Sequence, residues 1–128
     1  MADGDDVRAL VDRDAVVEVA LDYVEGWFDG DPARMARALH PELVKRSIQA
    51  DGSLGTLTRE SMVAFTGDGE GQREDSSDRQ IEIVVEHLDG TTAVATVRCH
   101  LYVDHLQLVR SDGSWQIVNV LWRRRATG

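Results

Sequence analysis

The chain has one cysteine, Cys99, in 128 residues, so no internal disulfide can form. It has no apolar run long enough to span a bilayer, and its start lacks the pattern of a secretory signal. These absences fit a reducing, cytoplasmic setting with no membrane partner. Basic residues are outnumbered, 14 Lys and Arg against 23 Asp and Glu, for a net charge of −9. A nucleic-acid backbone needs a basic face, so nucleic acid is not expected as a partner. The one basic run, Arg123-Arg124-Arg125, reads as a solvated strand end. Tight metal-ligand spacing is also missing. His40, His100 and His105 with Asp104 are the candidates, and on one strand His100 and His105 fall on opposite faces. No metal and no cofactor is expected. The glycines of 67–80 make no phosphate loop, because no Gly-Lys-Ser/Thr follows them.

What is present is a periodic chain with 42% apolar residues, enough for one domain with a real core. Its most regular stretch is Ile81 to Trp122. Two Asp-Gly turns, Asp89-Gly90 and Asp112-Gly113, divide it into three β-branched-rich runs. The pattern predicts an antiparallel meander with a long middle strand over Thr91–Val109. Alternation places Ala93, Ala95, Val97, Cys99, Leu101, Val103, His105 and Gln107 on one face. That face is apolar until its end, so His105 and Gln107 point inward with it. Arg98, His100, Tyr102 and Asp104 share the outer face, as a surface or dimer network; if the sheet bends before His105, Asp104 turns inward. In the last strand Val118, Val120 and Trp122 oppose Trp115, Ile117 and Leu121, which suggests burial on both sides. A mixed outer face on a long sheet suggests a second copy of the chain, a homodimer.

The N-terminal half reads as helices covering that sheet. Residues 1–13 are an acidic lead-in, either frayed or a short helix around Val7–Val11. From Asp14, Val16, Ala20, Tyr23 and Trp27 form one apolar stripe, and Val17, Leu21, Val24 and Phe28 a second. Asp12 or Asp14 caps the start, and Gly30 ends the helix. Asp31-Pro32 opens a second, short helix with Met35 and Leu39 on its buried side, closed by His40-Pro41. Leu43–Gln49 reads as a strand, with Lys45, Ser47 and Gln49 on one face. Thr58 caps a third helix containing Met62, Val63 and Phe65. Residues 67–80 have no apolar side chain and read as a mobile surface loop or a lid. The domain occupies 14–122, and 123–128 form a tail.

This order of elements resembles the nuclear transport factor 2-like superfamily. The resemblance rests on Tyr23-x-Glu25 with Gly30-Asp31, on His40-Pro41, and on Asp104-His105-Leu106-Gln107-Leu108 followed by Asp112-Gly113-x-Trp115-x-Ile117. The final stretch is similar to the bacterial branch labelled "putative lumazine-binding", a label from which lumazine binding does not follow. The resemblance implies an α+β cone: a curved antiparallel sheet around a long first helix, two short helices, and a pocket at the wide end. It also implies roles by position. In ketosteroid isomerase a tyrosine at the Tyr23 spacing donates to the developing oxyanion. Its second donor falls on His105, and its general base falls near Ser47. Serine cannot act as that base unaided.

The site expected from these readings has Tyr23 as hydrogen-bond donor, His105 as acid or base, and Asp104 as the alternative base. Trp27 and Trp122 are walls for a flat ring or plain core packing. Val103, Val118 and Val120 extend the apolar lining. Gln107, His40 and Ser47 are its polar contacts, with Gln107 equally placed in water at a strand end and His40 read first as a helix-end cation. Cys99 reads as a small buried hydrophobe. The expected function is a pocket for a small hydrophobic, ring-bearing carbonyl compound, with cofactor-free isomerase, dehydratase or cyclase chemistry. The alternative is a non-catalytic ligand-binding, dimerisation or protein-interaction module, since this fold class hosts both.

Overall fold

A computed structural model of the chain describes residues 4–126. Ten elements follow one another: α1 (Gly4–Asp29), α2 (Pro32–Ala38), β1 (Leu39–Ile48), β2 (Leu54–Thr58), α3 (Arg59–Gly67), α4 (Glu70–Arg73), β3 (Glu82–Asp89), β4 (Thr92–Arg98), β5 (Tyr102–Ser111) and β6 (Ser114–Arg124). The strands make one sheet in the order β2-β1-β6-β5-β4-β3. Only the β1–β6 pairing is parallel. The sheet curls around α1, whose Val16, Ala20, Tyr23, Val24 and Phe28 are buried against it. The fold is the expected α+β cone, with one more helix and two more hairpins than the sequence reading.

Helix α1 starts at Gly4 and runs unbroken through the expected lead-in. Asp12 is therefore no cap. It lies buried on the helix, where its Oδ1 accepts the Trp115 indole N–H at 3.0 Å and its carboxylate pairs with Arg8. Asp31 does cap α2, with Oδ1 accepting from the N–H of Ala33 and of Arg34, and Pro32 stands first in the helix. The helix ends at Ala38, and Leu39 already begins β1. His40 thus sits in a strand, not at a helix end, and its Nδ1 accepts from the Glu42 N–H. Thr58 caps α3 as expected. The run Leu54–Thr58, unassigned in the sequence, pairs with Val44–Ile48 across the turn at 50–53.

The expected long middle strand is two strands, β4 and β5, joined by a tight hairpin over Cys99–Leu101. The Cys99 N–H donates to the Tyr102 carbonyl, and the His100 N–H donates to Arg79 O. Folding back changes the parity of the inward face. Val97 pairs with Asp104, Ala95 with Leu106 and Ala93 with Leu108, so odd residues of β4 face the same way as even residues of β5. His105 and Gln107 consequently point outward and are exposed, and Asp104 points inward at 7% exposure. A bulge shifts β6 as well. Gln107 pairs with Asn119 but Leu108 with Ile117, leaving Val118 as the extra residue. Trp115 and Ile117 therefore join Val120 and Trp122 on the inner side, and Leu121 is 52% exposed on the outer side. The reading of β6 as buried on both faces is corrected accordingly.

Residues 67–80 are also not a free loop. They contain α4, and Gly71 is buried against α1. A Cβ on Gly71 would collide with the Trp27 carbonyl, so the missing side chain lets two backbones touch. A segment without apolar residues packs here because it brings a bare backbone to the helix.

Candidate functional site

The open end of the cone holds a cavity of about 460 Å³. Tyr23, Val24, Trp27 and Phe28 of α1 form one wall. Lys45 of β1, Asp104 of β5 and Trp122 of β6 form the facing side, with Met62 and Phe65 of α3 beside them. The volume falls within the range of small-molecule pockets, and the lining is mostly apolar with few polar groups.

Three polar side chains meet in this cavity. The Tyr23 hydroxyl donates to Asp104 Oδ2 at 2.5 Å and accepts from Lys45 Nζ at 2.6 Å. Lys45 Nζ lies 3.8 Å from Asp104 Oδ2. The ammonium also sits 5.0 Å from the Tyr23 ring centre and 5.3 Å from that of Trp122. The β1 alternation aims Lys45 inward, next on its face to Ser47, and the parity change aims Asp104 to meet it. All three groups are withdrawn from water. Burial pushes the Lys45 ammonium below the usual lysine range, against the attraction of Asp104. Burial likewise pushes the Asp104 carboxyl above the usual carboxylate range, against Lys45 and the Tyr23 hydrogen bond. Burial and the adjacent Asp104 charge raise Tyr23 far above the usual phenol, which keeps it protonated. The cluster is thus a short proton path with an amine at one end and a carboxyl at the other.

A second polar group forms the rim. Glu74 Oε1 accepts from Trp27 Nε1, and Oε2 accepts from the Tyr102 hydroxyl at 2.5 Å and from Arg124 at 3.0 Å. His100 Nε2 is bonded to the Glu74 carbonyl. The 67–80 segment therefore holds Trp27 and Tyr102 in place, and Tyr102 stands edge-on to Trp122 with ring centres 5.2 Å apart. Burial raises Tyr102 as a titrating group, and the Glu74 carboxylate adds to the effect. Burial also pushes the Cys99 thiol up, so it stays protonated in the wall.

The structure thus brings together Tyr23, Asp104, Trp27 and Trp122 of the residues expected at the site. It does not bring His105, which is exposed on the outer face beside Thr96. Gln107 is also outside, accepting from Asn119. Val120 is buried in the core, Val118 is displaced by the bulge, and Val103 lies on the opposite side, paired with Arg98 and Arg123. His40 and Ser47 are partly exposed and do not line the cavity. Lys45 was overlooked, although the sequence carries a signal: it is the sole lysine, and the other 13 basic residues are arginine. Among the described residues, no cluster of three or more His, Cys, Asp or Glu could hold a metal ion. No described helix is long and apolar enough to cross a membrane.

An α+β cone with a curved sheet wrapped on a long helix and a pocket at its open end is the nuclear transport factor 2-like fold. Solved structures agree. A protein of unknown function from Shewanella baltica superposes with a TM-score of 0.70 at 17% identity, covering 92% of this chain and 97% of its own. A hexachlorocyclohexane dehydrochlorinase from Novosphingobium barchaimii superposes with a TM-score of 0.69 at 15% identity, covering 94% and 91%. A third, from Silicibacter pomeroyi and of unknown function, is 21% identical with a TM-score of 0.66, covering 98% and 100%. At these identities the likeness is one of fold. Residues 11–123 match the family described as "putative lumazine-binding", and the chain belongs to that family. No curated protein matches.

Proposed function

We propose that the cavity binds a small, flat, hydrophobic compound bearing a carbonyl, and that the Lys45–Tyr23–Asp104 cluster works on its carbonyl end by acid–base chemistry. The observation that carries this is the burial of an amine, a phenol and a carboxyl in one hydrogen-bonded row among the aromatic walls of the cavity. Lys45 has three N–H donors, and one is taken by Tyr23. The others suit a carbonyl oxygen. Asp104 Oδ2 is occupied by Tyr23, which leaves Oδ1 to take a proton from the carbon beside that carbonyl. Its raised pKa moves it toward neutral pH, where a general base is most effective. Trp27, Phe28 and Trp122 offer aromatic walls for the ring. The class of reaction is isomerisation, elimination or cyclisation through an enol.

The test is binding followed by turnover. Aromatic ketones, enones and their hydrocarbon analogues are screened by calorimetry and thermal shift against wild type and Asp104→Asn. Carbonyl compounds should bind more tightly than their hydrocarbon analogues, and Asp104→Asn should retain binding while losing turnover. Equal affinity for both, with no turnover in either protein, would remove the reading.

A second reading, dimerisation through the outer sheet face, has its own support. Val84 is 43% and Leu121 52% exposed, and the cross-strand row Val84–Thr96–His105–Leu121 joins them across four strands. A homodimer would cover this row, and light scattering with Leu121→Glu tests it: a dimer that becomes a monomer supports the interface. A cytosolic setting accords with the protonated, buried Cys99.

A further inference from the structure

Lys45 has a feature that a carbonyl-binding cation does not need: it can lose its proton. Arginine, which fills all 13 other basic positions, stays protonated in a protein, whereas a buried lysine readily gives up its charge. Of the basic residues lining the cavity, Arg73 and Arg124 are exposed and the buried one, Lys45, is an amine. The Nζ is held by a single hydrogen bond, 2.6 Å from the Tyr23 hydroxyl, and its side chain is 11% exposed. Its remaining surface is turned to the cavity between the Tyr23 and Trp122 rings.

We propose that Lys45 condenses reversibly with the carbonyl of an aldehyde or unhindered ketone to form an imine in this cavity. The proposal rests on the pocket reading above and makes its carbonyl contact covalent. Each requirement of the reaction has a group in place. The nucleophile must be a free amine, and low solvation favours the neutral form of Lys45. The ammonium proton passes through the Tyr23 hydroxyl to Asp104 Oδ2, along bonds of 2.6 and 2.5 Å. The Nζ lone pair then attacks the carbonyl carbon, a C–N bond forms, the carbonyl oxygen takes the proton held by the Tyr23–Asp104 pair, and the attacking nitrogen returns one of its two protons to that pair, leaving a neutral carbinolamine. Protonation of its hydroxyl by the Tyr23–Asp104 pair breaks the C–O bond and releases one water. The nitrogen keeps a double bond to carbon as a protonated imine, with Asp104 again a carboxylate beside it. No oxidant, metal or second reactant enters the balance. The charge arrangement at the end matches that at the start, a cation on Lys45 facing Asp104, so the cluster stabilises the product as it does the free ammonium. The aldehyde class is limited by the walls to flat, apolar molecules that fit about 460 Å³.

The composition makes the test clean, since Lys45 carries the only ε-amine. Full-length protein is incubated with 2-naphthaldehyde and sodium cyanoborohydride, and the adduct is located by peptide mass mapping. The same is done in urea and with Lys45→Arg and Lys45→Met, whose folding is checked by circular dichroism. Binding of naphthalene and 2-naphthaldehyde is followed separately by thermal shift. The expected result is a naphthylmethyl group on Lys45 of the folded protein, formed faster than in urea and lost in both variants, with the N-terminal amine labelled equally in all. If both compounds raise the melting temperature but Lys45 is labelled no faster than in urea, the imine is overturned while the pocket stands. If neither compound binds and 2-naphthaldehyde labels Lys45 no faster than in urea, both readings fall.

Discussion

Replacing Asp104 by Asn tests whether Lys45 is buried as described. Asn keeps the shape and an acceptor for the Tyr23 hydroxyl, but it removes the one carboxylate paired with Lys45 among the described residues. Removing one partner of a buried ion pair leaves an uncompensated charge and costs about 3–5 kcal/mol. Lysine limits that loss by releasing its proton. Each pKa unit below the ordinary value of about 10.4 is worth about 1.4 kcal/mol, so the penalty cannot exceed about 4.6 kcal/mol at pH 7 or about 1.9 kcal/mol at pH 9. The sign follows from the proton count. Lys45 is depressed in the folded state, so between its folded and unfolded values the unfolded chain binds more protons, and stability rises with pH. Urea unfolding followed by circular dichroism should show Asp104→Asn about 3–4 kcal/mol less stable than wild type at pH 7. The gap should close to under about 2 kcal/mol at pH 9. Adding Lys45→Met to Asp104→Asn should recover most of the loss, since apolar replacement of a buried pair is often neutral or stabilising. A loss under about 1 kcal/mol, equal at both pH values, is what a solvated surface pair would give and would refute the burial of this cluster.

Three further outcomes follow from the same geometry. Gly71→Ala forces a methyl against the Trp27 carbonyl, so it should lower stability by about 1–3 kcal/mol and weaken ligand binding at the rim, read by melting temperature and calorimetry. Trp115→Phe removes a donor from buried Asp12 and should cost about 2 kcal/mol. Burial alone would raise Asp12, but the Trp115 and Arg8 hydrogen bonds hold it below the usual carboxylate range; its contribution is present above about pH 4 and lost as pH falls through the folded value, so Trp115→Phe should unfold at higher pH in an acid titration. His105→Ala, at an exposed position, should change stability by less than about 0.5 kcal/mol and leave ligand affinity unaltered; a loss of binding would restore His105 to the site.

Periodicity and turn chemistry made three of the helices and the two Asp-Gly turns legible in the sequence, while the cone came from the resemblance to the nuclear transport factor 2-like superfamily. The α1 stripe, the Asp31-Pro32 start and the Thr58 cap all depend on local rules, and local rules survive folding. The facing of Asp104 and His105 did not, because Cys99–Leu101 contains no glycine or proline to announce a hairpin. Alternation read across that hidden turn puts every later residue on the wrong side. The β6 bulge did the same to Trp115 and Ile117, since one extra residue leaves no compositional mark. Glu74 was hidden because its role depends on Gly71 touching Trp27, a contact between residues far apart in the chain. Lys45 was hidden in plain view: an inward lysine on a strand reads as a solvated face until its partners Tyr23 and Asp104 are folded against it.

The most direct measurement is the titration of Lys45 itself by NMR. Labelling the protein with lysine carrying ¹³C at Cε gives one resonance, because the chain has one lysine. The expected result is a pKa depressed below the ordinary value of about 10.4, moved again when an aromatic carbonyl compound is added. A resonance that titrates near 10.4 and ignores every ligand would place Lys45 in water, and the Lys45–Tyr23–Asp104 site would be contradicted.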